Sequence, residues 1–313
     1  MALDDATTAL LTQLAESGTK PLHEMTPQEA RGLTAALGEM YGPGPEMHRA
    51  EDATAPAPDG YAIPLRVLVP TPSPRGVLVY YHGGGWVIGA LPEFDTLGRT
   101  LAERTGCAVV LVDYRMAPEH PYPAAADDAW AALQWVAGNL ERIAGGPVPL
   151  LVGGDSAGGN LTAIVAQKAR DAGGPALAMQ LLVYPVTDCD LDNKTYSDPA
   201  NQLMLSRESM VWFWDLYAPE HALRQNPDAC PSKAADLSGL PPAVVLLAEH
   251  DVLRQEGQEY ADALERAGVP VQSRVFDGQM HGFFTMVNVL PGSAAGIAWA
   301  TDAIDRQLTA QPA

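Results

Sequence analysis

The chain has 313 residues, 47% of them hydrophobic and 18% charged, with a formal net charge of −19. That apolar content supplies a globular core and excludes a disordered chain, while the length suits two domains or one large α/β domain carrying an insertion. An acidic surface repels phosphate backbones and anionic lipid surfaces, so no nucleic acid is expected as a partner.

The chain opens on MALDDATTALL, which is acidic and lacks the basic start of a secretory signal. Residues 1–45 read as amphipathic helix, with Leu10, Leu11 and Leu14 and then Leu33, Leu37 and Met40 on the apolar side. Gly42-Pro43-Gly44-Pro45 ends that block. After a loop, 63–69 and 77–81 read as strands, and 93–104 as a helix. The run at 107–114 is apolar throughout, the pattern of a strand buried on both faces. A helix over 124–142, a strand over 148–154, a helix over 157–171 and a strand over 179–185 follow. Strands at 243–249 and 271–276 and helices at 256–267 and 293–309 complete the series. Such alternation predicts a mostly parallel sheet covered by helices. It breaks between 190 and 235, an aromatic, irregular stretch that reads as an insertion over the sheet edge where loops gather.

No apolar run approaches the roughly 18 residues of a membrane span, and a cytoplasmic protein is expected. Cys107, Cys189 and Cys230 are odd in number and lack CxxC spacing, which speaks against a disulfide framework or a zinc ribbon. No metal or other cofactor is expected.

Gly154-Asp155-Ser156-Ala157-Gly158 is a GxSxG sequence between a predicted strand and a predicted helix. There a sharp turn lifts the serine above the sheet, and the helix N-terminus lends partial positive charge to a developing oxyanion. Ser156 needs a base. On such a turn the chain order is serine, acid, histidine, which leaves His221, His250 and His281. His281 follows the last predicted strand, where a loop reaches the strand C-termini. The acid ends the preceding strand at Asp251, with Asp277 and Glu249 as alternatives. An oxyanion also needs preorganised N–H donors. Ala157 supplies one, and the bare backbone of His82-Gly83-Gly84-Gly85-Trp86 answers that requirement for the other. His82 is expected to anchor that loop and Trp86 to pack beneath it. The APEHPYPAA loop at 117–125, with three prolines, reads as structural.

Taken together, HGGGW (82–86), DYRMAPEHPYPAAADDA (113–129), GDSAGGN (154–160), LLVYPVTD (181–188), DVLRQEG (251–257) and HGF (281–283) resemble the bacterial hormone-sensitive-lipase esterases of the α/β-hydrolase fold. The resemblance runs from about residue 60 to the C-terminus. It implies Ser156, Asp251 and His281 as a triad, and the amides of Gly84, Gly85 and Ala157 as an oxyanion hole, with His82, Gly83 and Asp155 supporting the motifs. It also implies a helical cap made of 1–45 and 190–235 over a core of 46–189 and 236–313. Short- to medium-chain carboxylic esters, small molecules hydrolysed without a cofactor, are the implied substrates. Dimers are common in that family, so a homodimer is expected, with the edge near 271–276 as the place to pair. Two residues depart from the family pattern: Val252 stands where proline is usual and His250 where tyrosine is common.

Two questions stay open at this level. A deacetylase, lactonase or acyltransferase would use the same site, whereas an inactive receptor would have lost a triad member. In the stretch 209–217, Met210, Phe213, Trp214 and Tyr217 share one helical face. That face either packs as core or roofs the acyl pocket, and on the second reading Met210, Phe213 and Trp214 are pocket residues.

Overall fold

The runs Val77–Tyr81, Ala108–Val112 and Leu150–Asp155 are buried along their whole length, which strands achieve only with helices on both faces. A computed structural model describes residues 2–310. In chain order its elements are α1 (Asp5–Glu16), α2 (Pro27–Glu39), β1 (Arg49–Pro56), β2 (Ala62–Val69), β3 (Val77–Tyr81), α3 (Leu91–Thr105), β4 (Ala108–Val112), α4 (Ala124–Gly138) and α5 (Leu140–Ala144). There follow β5 (Leu150–Asp155), α6 (Ala157–Asp171), β6 (Met179–Val183), α7 (Lys194–Ser197), α8 (Arg207–Tyr217), β7 (Ala243–His250), α9 (Arg254–Arg266), β8 (Val271–Met280) and α10 (Pro291–Ala310).

The strands form one sheet of eight in the order β1-β2-β4-β3-β5-β6-β7-β8. The β1–β2 and β2–β4 pairs are antiparallel and the rest are parallel. Side chains alternate across the sheet. Leu78 and Tyr80 face a core shared with Leu97 and Leu101 of α3 and Ile297 and Ile304 of α10. Val77, Val79 and Tyr81 face the opposite core, with Leu133 of α4 and Leu161 of α6.

Three details differ from the sequence expectation. Part of the loop before residue 62 is β1, an edge strand whose half-buried Arg49 and Glu51 and exposed Asp52 hide its period. The helix expected over 124–142 breaks at Asn139 into α4 and α5, after Gly138, a weak helix former. The last strand runs on to Met280, four residues past the expected end at 276, and β7 and β8 are irregular between Ala248 and His250.

The 190–235 stretch contains α7, α8 and short 3₁₀ turns. Trp86 stacks on Tyr217 of α8 at 4.2 Å between ring centroids and tilts against Trp214 at 4.8 Å. So Trp86 packs against the inserted helix. All three rings are fully buried. The N-terminal segment also docks: the 3₁₀ turn Leu22–Glu24 packs on α8, and α2 packs on α3. Among the described residues no helix is long and apolar enough to cross a membrane.

Truncating one ring of this cluster leaves a cavity. Trp214→Ala is expected to lower unfolding free energy by about 3–5 kcal/mol, read from equilibrium urea denaturation. A loss below about 1 kcal/mol would show that the cluster closes over the gap.

Candidate active site

β5 ends at Asp155 and α6 begins at Ala157, so Ser156 alone makes the turn, at φ 55° and ψ −117°. A side chain rarely adopts positive φ, and tight surroundings hold it here. A Cβ on Gly158 would collide with the Tyr81 carbonyl, and one on Gly154 with the Gly158 carbonyl. The Ser156 amide donates to the Val183 carbonyl at 2.8 Å, tying the turn to β6.

β7 and β8 deliver the other two groups. Their irregular register pairs His250 with Met280, and the next residues along each strand are Asp251 and His281. His281 Nδ1 lies 2.7 Å from Asp251 Oδ2, and its Nε2 lies 3.0 Å from Ser156 Oγ. An ionised carboxylate only accepts, so Nδ1–H donates to Asp251 and Nε2 accepts from the Ser156 hydroxyl. The other oxygen, Asp251 Oδ1, accepts from the Leu253 amide at 2.9 Å. Among the alternative acids, Glu249 Oε2 accepts from the Gly278 amide at 2.7 Å, and Asp277 is exposed. His221 is exposed, and His250 Nε2 is 3.8 Å from a Glu249 oxygen. Val252 is buried and its carbonyl accepts from Thr195 Oγ1 at 2.6 Å, so the departure from proline leaves the acid loop tied down. Tyr184, within LLVYPVTD, packs its ring on His281 at 4.6 Å between ring centroids, a contact that no local spacing in the sequence marks.

The glycine loop is held from below. Asp155 Oδ1 accepts from the Gly83 amide at 3.1 Å and the Tyr80 hydroxyl at 3.0 Å. His82 Nδ1–H donates to the Gly83 carbonyl at 2.7 Å, and burial pushes this imidazole down to about 4, so it stays neutral. Its ring stacks on Tyr114 at 4.4 Å. These contacts tie the loop to Tyr114. Gly84 has φ +105°, and its carbonyl accepts from Val87 and Ile88. A Cβ on Gly85 would fall on the Phe213 ring. Ala157 is the first residue of α6, so its amide has no partner within the helix. Outside the loop, Arg31 of α2 donates to the Val87 carbonyl at 2.8 Å and the Ala117 carbonyl at 2.9 Å, and pairs with Glu119 at 2.7 Å. The 117–125 loop is thus tied to α2.

Ser156, His281 and Gly83–Gly85 open on a cavity of about 490 Å³. Leu14 and Leu37 of the N-terminal helices and Leu205 and Phe213 of the 190–235 stretch line it. The helical face at 209–217 therefore divides. Phe213 reaches the cavity, whereas Met210 and Trp214 do not line it, because they are turned into the core beside Trp86. Glu93 also lines the wall. Burial pushes its carboxyl up to about 7, and the Asp113 charge adds to this while a Thr34 hydrogen bond opposes it. In sequence it reads only as an acid in a helix's first turn.

Several known proteins are similar to this chain. A family described as alpha/beta hydrolase fold matches residues 78–285. Carboxylesterase NlhH of Mycobacterium tuberculosis is 43% identical over 274 residues, 85% of each chain. Ethyl acetate hydrolase of Pseudomonas putida is 33% identical, over 96% of this chain and 98% of its own. The crystal structure of a thermostable esterase from Pseudomonas putida superposes with a TM-score of 0.92 at 36% identity, covering 100% of this chain and 98% of that one.

The raised Glu93 carboxyl makes stability depend on pH. The native state holds a proton that the unfolded chain has released, so wild-type stability falls as pH rises from the ordinary 4.5 through about 7. Glu93→Gln removes that loss. Its Tm relative to wild type is expected to rise between about pH 5 and about pH 8, and a pH-independent difference would contradict the burial argument.

Proposed function

The chain belongs to the hormone-sensitive-lipase-like esterases of the α/β-hydrolase fold, and from that membership we propose how its residues divide the work of a serine carboxylesterase. Ser156 Oγ attacks the ester carbonyl while His281 Nε2 takes its proton. Asp251 keeps Nδ1 protonated and stabilises the imidazolium. The amides of Gly84, Gly85 and Ala157 receive the oxyanion. His281 then protonates the leaving alcohol, and water repeats the sequence on the acyl-enzyme. The observation that carries this reading is the continuous set of hydrogen bonds Asp251–His281–Ser156, at 2.7 and 3.0 Å, opening on the cavity.

The substrates are small-molecule carboxylic esters. The cavity volume and the apolar wall favour short to medium acyl chains, and a relative named for ethyl acetate supports the short end. Residues 1–45 and 190–235 act as the cap over the core of 46–189 and 236–313, in keeping with Leu14, Leu37, Leu205 and Phe213 lining one cavity. A homodimer pairing along β8 suits that strand's position at the sheet edge and its exposed Val275. Three free cysteines suit the reducing conditions of a cytoplasmic location.

Hydrolysis of p-nitrophenyl acetate, butyrate and octanoate by the purified protein tests the activity. Ser156→Ala is expected to abolish nearly all turnover, and Asp251→Asn to lower kcat by roughly 10⁴ with the fold retained by circular dichroism. Near-normal turnover in either folded variant would remove that residue from the mechanism.

Phe213→Ala is expected to raise kcat/KM for octanoate relative to butyrate. Four methylenes at about 0.8 kcal/mol each set a ceiling near 3 kcal/mol, and partial burial gives less. Trp214→Ala, made in parallel, is expected to keep the wild-type chain-length profile. The reverse pattern would return Trp214 to the pocket wall.

A further inference from the structure

Outside the catalytic site, the two ends of the 190–235 stretch meet at a pair of sulfurs. Cys189 enters the stretch and Cys230 stands near its exit. Their Sγ atoms and an Asp188 carboxylate oxygen lie within 4.8 Å of one another. Cys189 is half-buried and Cys230 fully buried. The Gln225 side-chain amide donates to Cys189 Sγ at 3.3 Å. We propose that Cys189 and Cys230 form a peroxide-oxidisable thiol pair, closing to a disulfide that ties together both ends of the stretch carrying α8.

The surroundings favour thiolate on the accessible sulfur. The neighbouring Cys230 thiol is the main cause that brings Cys189 down to about 7, with Lys233 and Gln225 helping and burial and the Asp188 charge opposing. Cys230 is pushed up in turn, by the neighbouring Cys189 first and by burial. A half-exposed low-pKa thiol beside a buried partner is the arrangement of an attacking and a resolving cysteine. A metal fits less well. Asp188 Oδ1 already takes the Lys233 ammonium at 2.8 Å and the Cys189 amide at 2.7 Å, and its Oδ2 takes Ser232 Oγ at 2.9 Å. An incoming cation would have to displace the ammonium.

The oxidant is hydrogen peroxide. Cys189 thiolate attacks one peroxide oxygen, the O–O bond breaks, and hydroxide leaves a sulfenic acid behind. Cys230 sulfur then attacks Cys189 sulfur, the S–S bond forms, and the sulfenic oxygen departs as water with the Cys230 proton. The hydroxide takes up the proton that Cys189 had released. Two thiols thus lose two electrons, and the peroxide is reduced to two waters. Neither sulfur lines the catalytic cavity, so esterase turnover continues, but the closed loop of about 40 residues restricts the unfolded chain.

The test treats the full chain with a small excess of hydrogen peroxide, then denatures it, alkylates it and digests it without reductant. Expected are the loss of two alkylatable thiols, a linked Cys189–Cys230 peptide lighter by two hydrogens, reversal by dithiothreitol, and a Tm raised by several degrees in the oxidised protein. In Cys230→Ser, dimedone is expected to trap a sulfenic acid at Cys189, and in Cys189→Ser, Cys230 is expected to stay unreacted. Cys107, buried in the core, serves as the unreactive internal control. Three alkylatable thiols after peroxide, oxidation of Cys189 beyond sulfenic acid with Cys230 still free, or stoichiometric zinc that shields both cysteines would each overturn the proposal.

Discussion

Two side chains meet here because two strands end together. The pairing of His250 with Met280 places Asp251 and His281 at the tips of neighbouring strands, and their 2.7 Å hydrogen bond follows from that register. Side chains alternate faces along a strand, so a slip of one residue would turn either group away. The irregularity between Ala248 and His250 absorbs the mismatch between the two strands. Glu249 adds a clasp from one strand to the other through the Gly278 amide. The N-terminal segment adds another, since the Asp4 amide donates to the Gly278 carbonyl at 3.1 Å and Gln279 donates to the Asp4 carboxylate at 2.6 Å. The histidine loop is therefore braced from outside the sheet as well as within it.

Crowding works at Ser156 in the same direction. Ser156 holds an unfavourable φ because Tyr81, Val183 and the start of α6 leave the backbone one path. Asp155 then links that turn to the glycine loop through the Gly83 amide. The buried carboxylate accepts two hydrogen bonds there, as a buried charge requires. Ser156, Asp251 and His281 are thus held at strand ends and a helix start, which hold geometry better than free loops do.

What could be read in the chain beforehand follows from how local each signal is. Ser156, the HGGGW loop and the buried strands are marked by contiguous residues whose spacing has a direct physical meaning. Asp251 was separable from Glu249 and Asp277 only by its place at a strand end, and the β7–β8 pairing that makes the distinction is a long-range fact. The face holding Met210, Phe213 and Trp214 has one helical period, and periodicity cannot say which side chain meets a cavity and which meets Trp86. β1 was hidden because its charges are satisfied across strands, as in the Arg66–Asp52 pair at 2.9 Å. Cys189 and Cys230 lie 41 positions apart (230 − 189), and no short-range spacing could bring them together.

Phe213 fills the space that a side chain at residue 85 would need, and Gly85 also has φ +58°. The two positions therefore cannot drift apart over evolutionary time as independent sites. A larger residue at 85 would require both a smaller one at 213 and tolerance of a left-handed backbone. The width of the cavity at Phe213 is in this way tied to the glycine loop, and related chains that widen it are expected to do so at 213 while leaving the glycine in place.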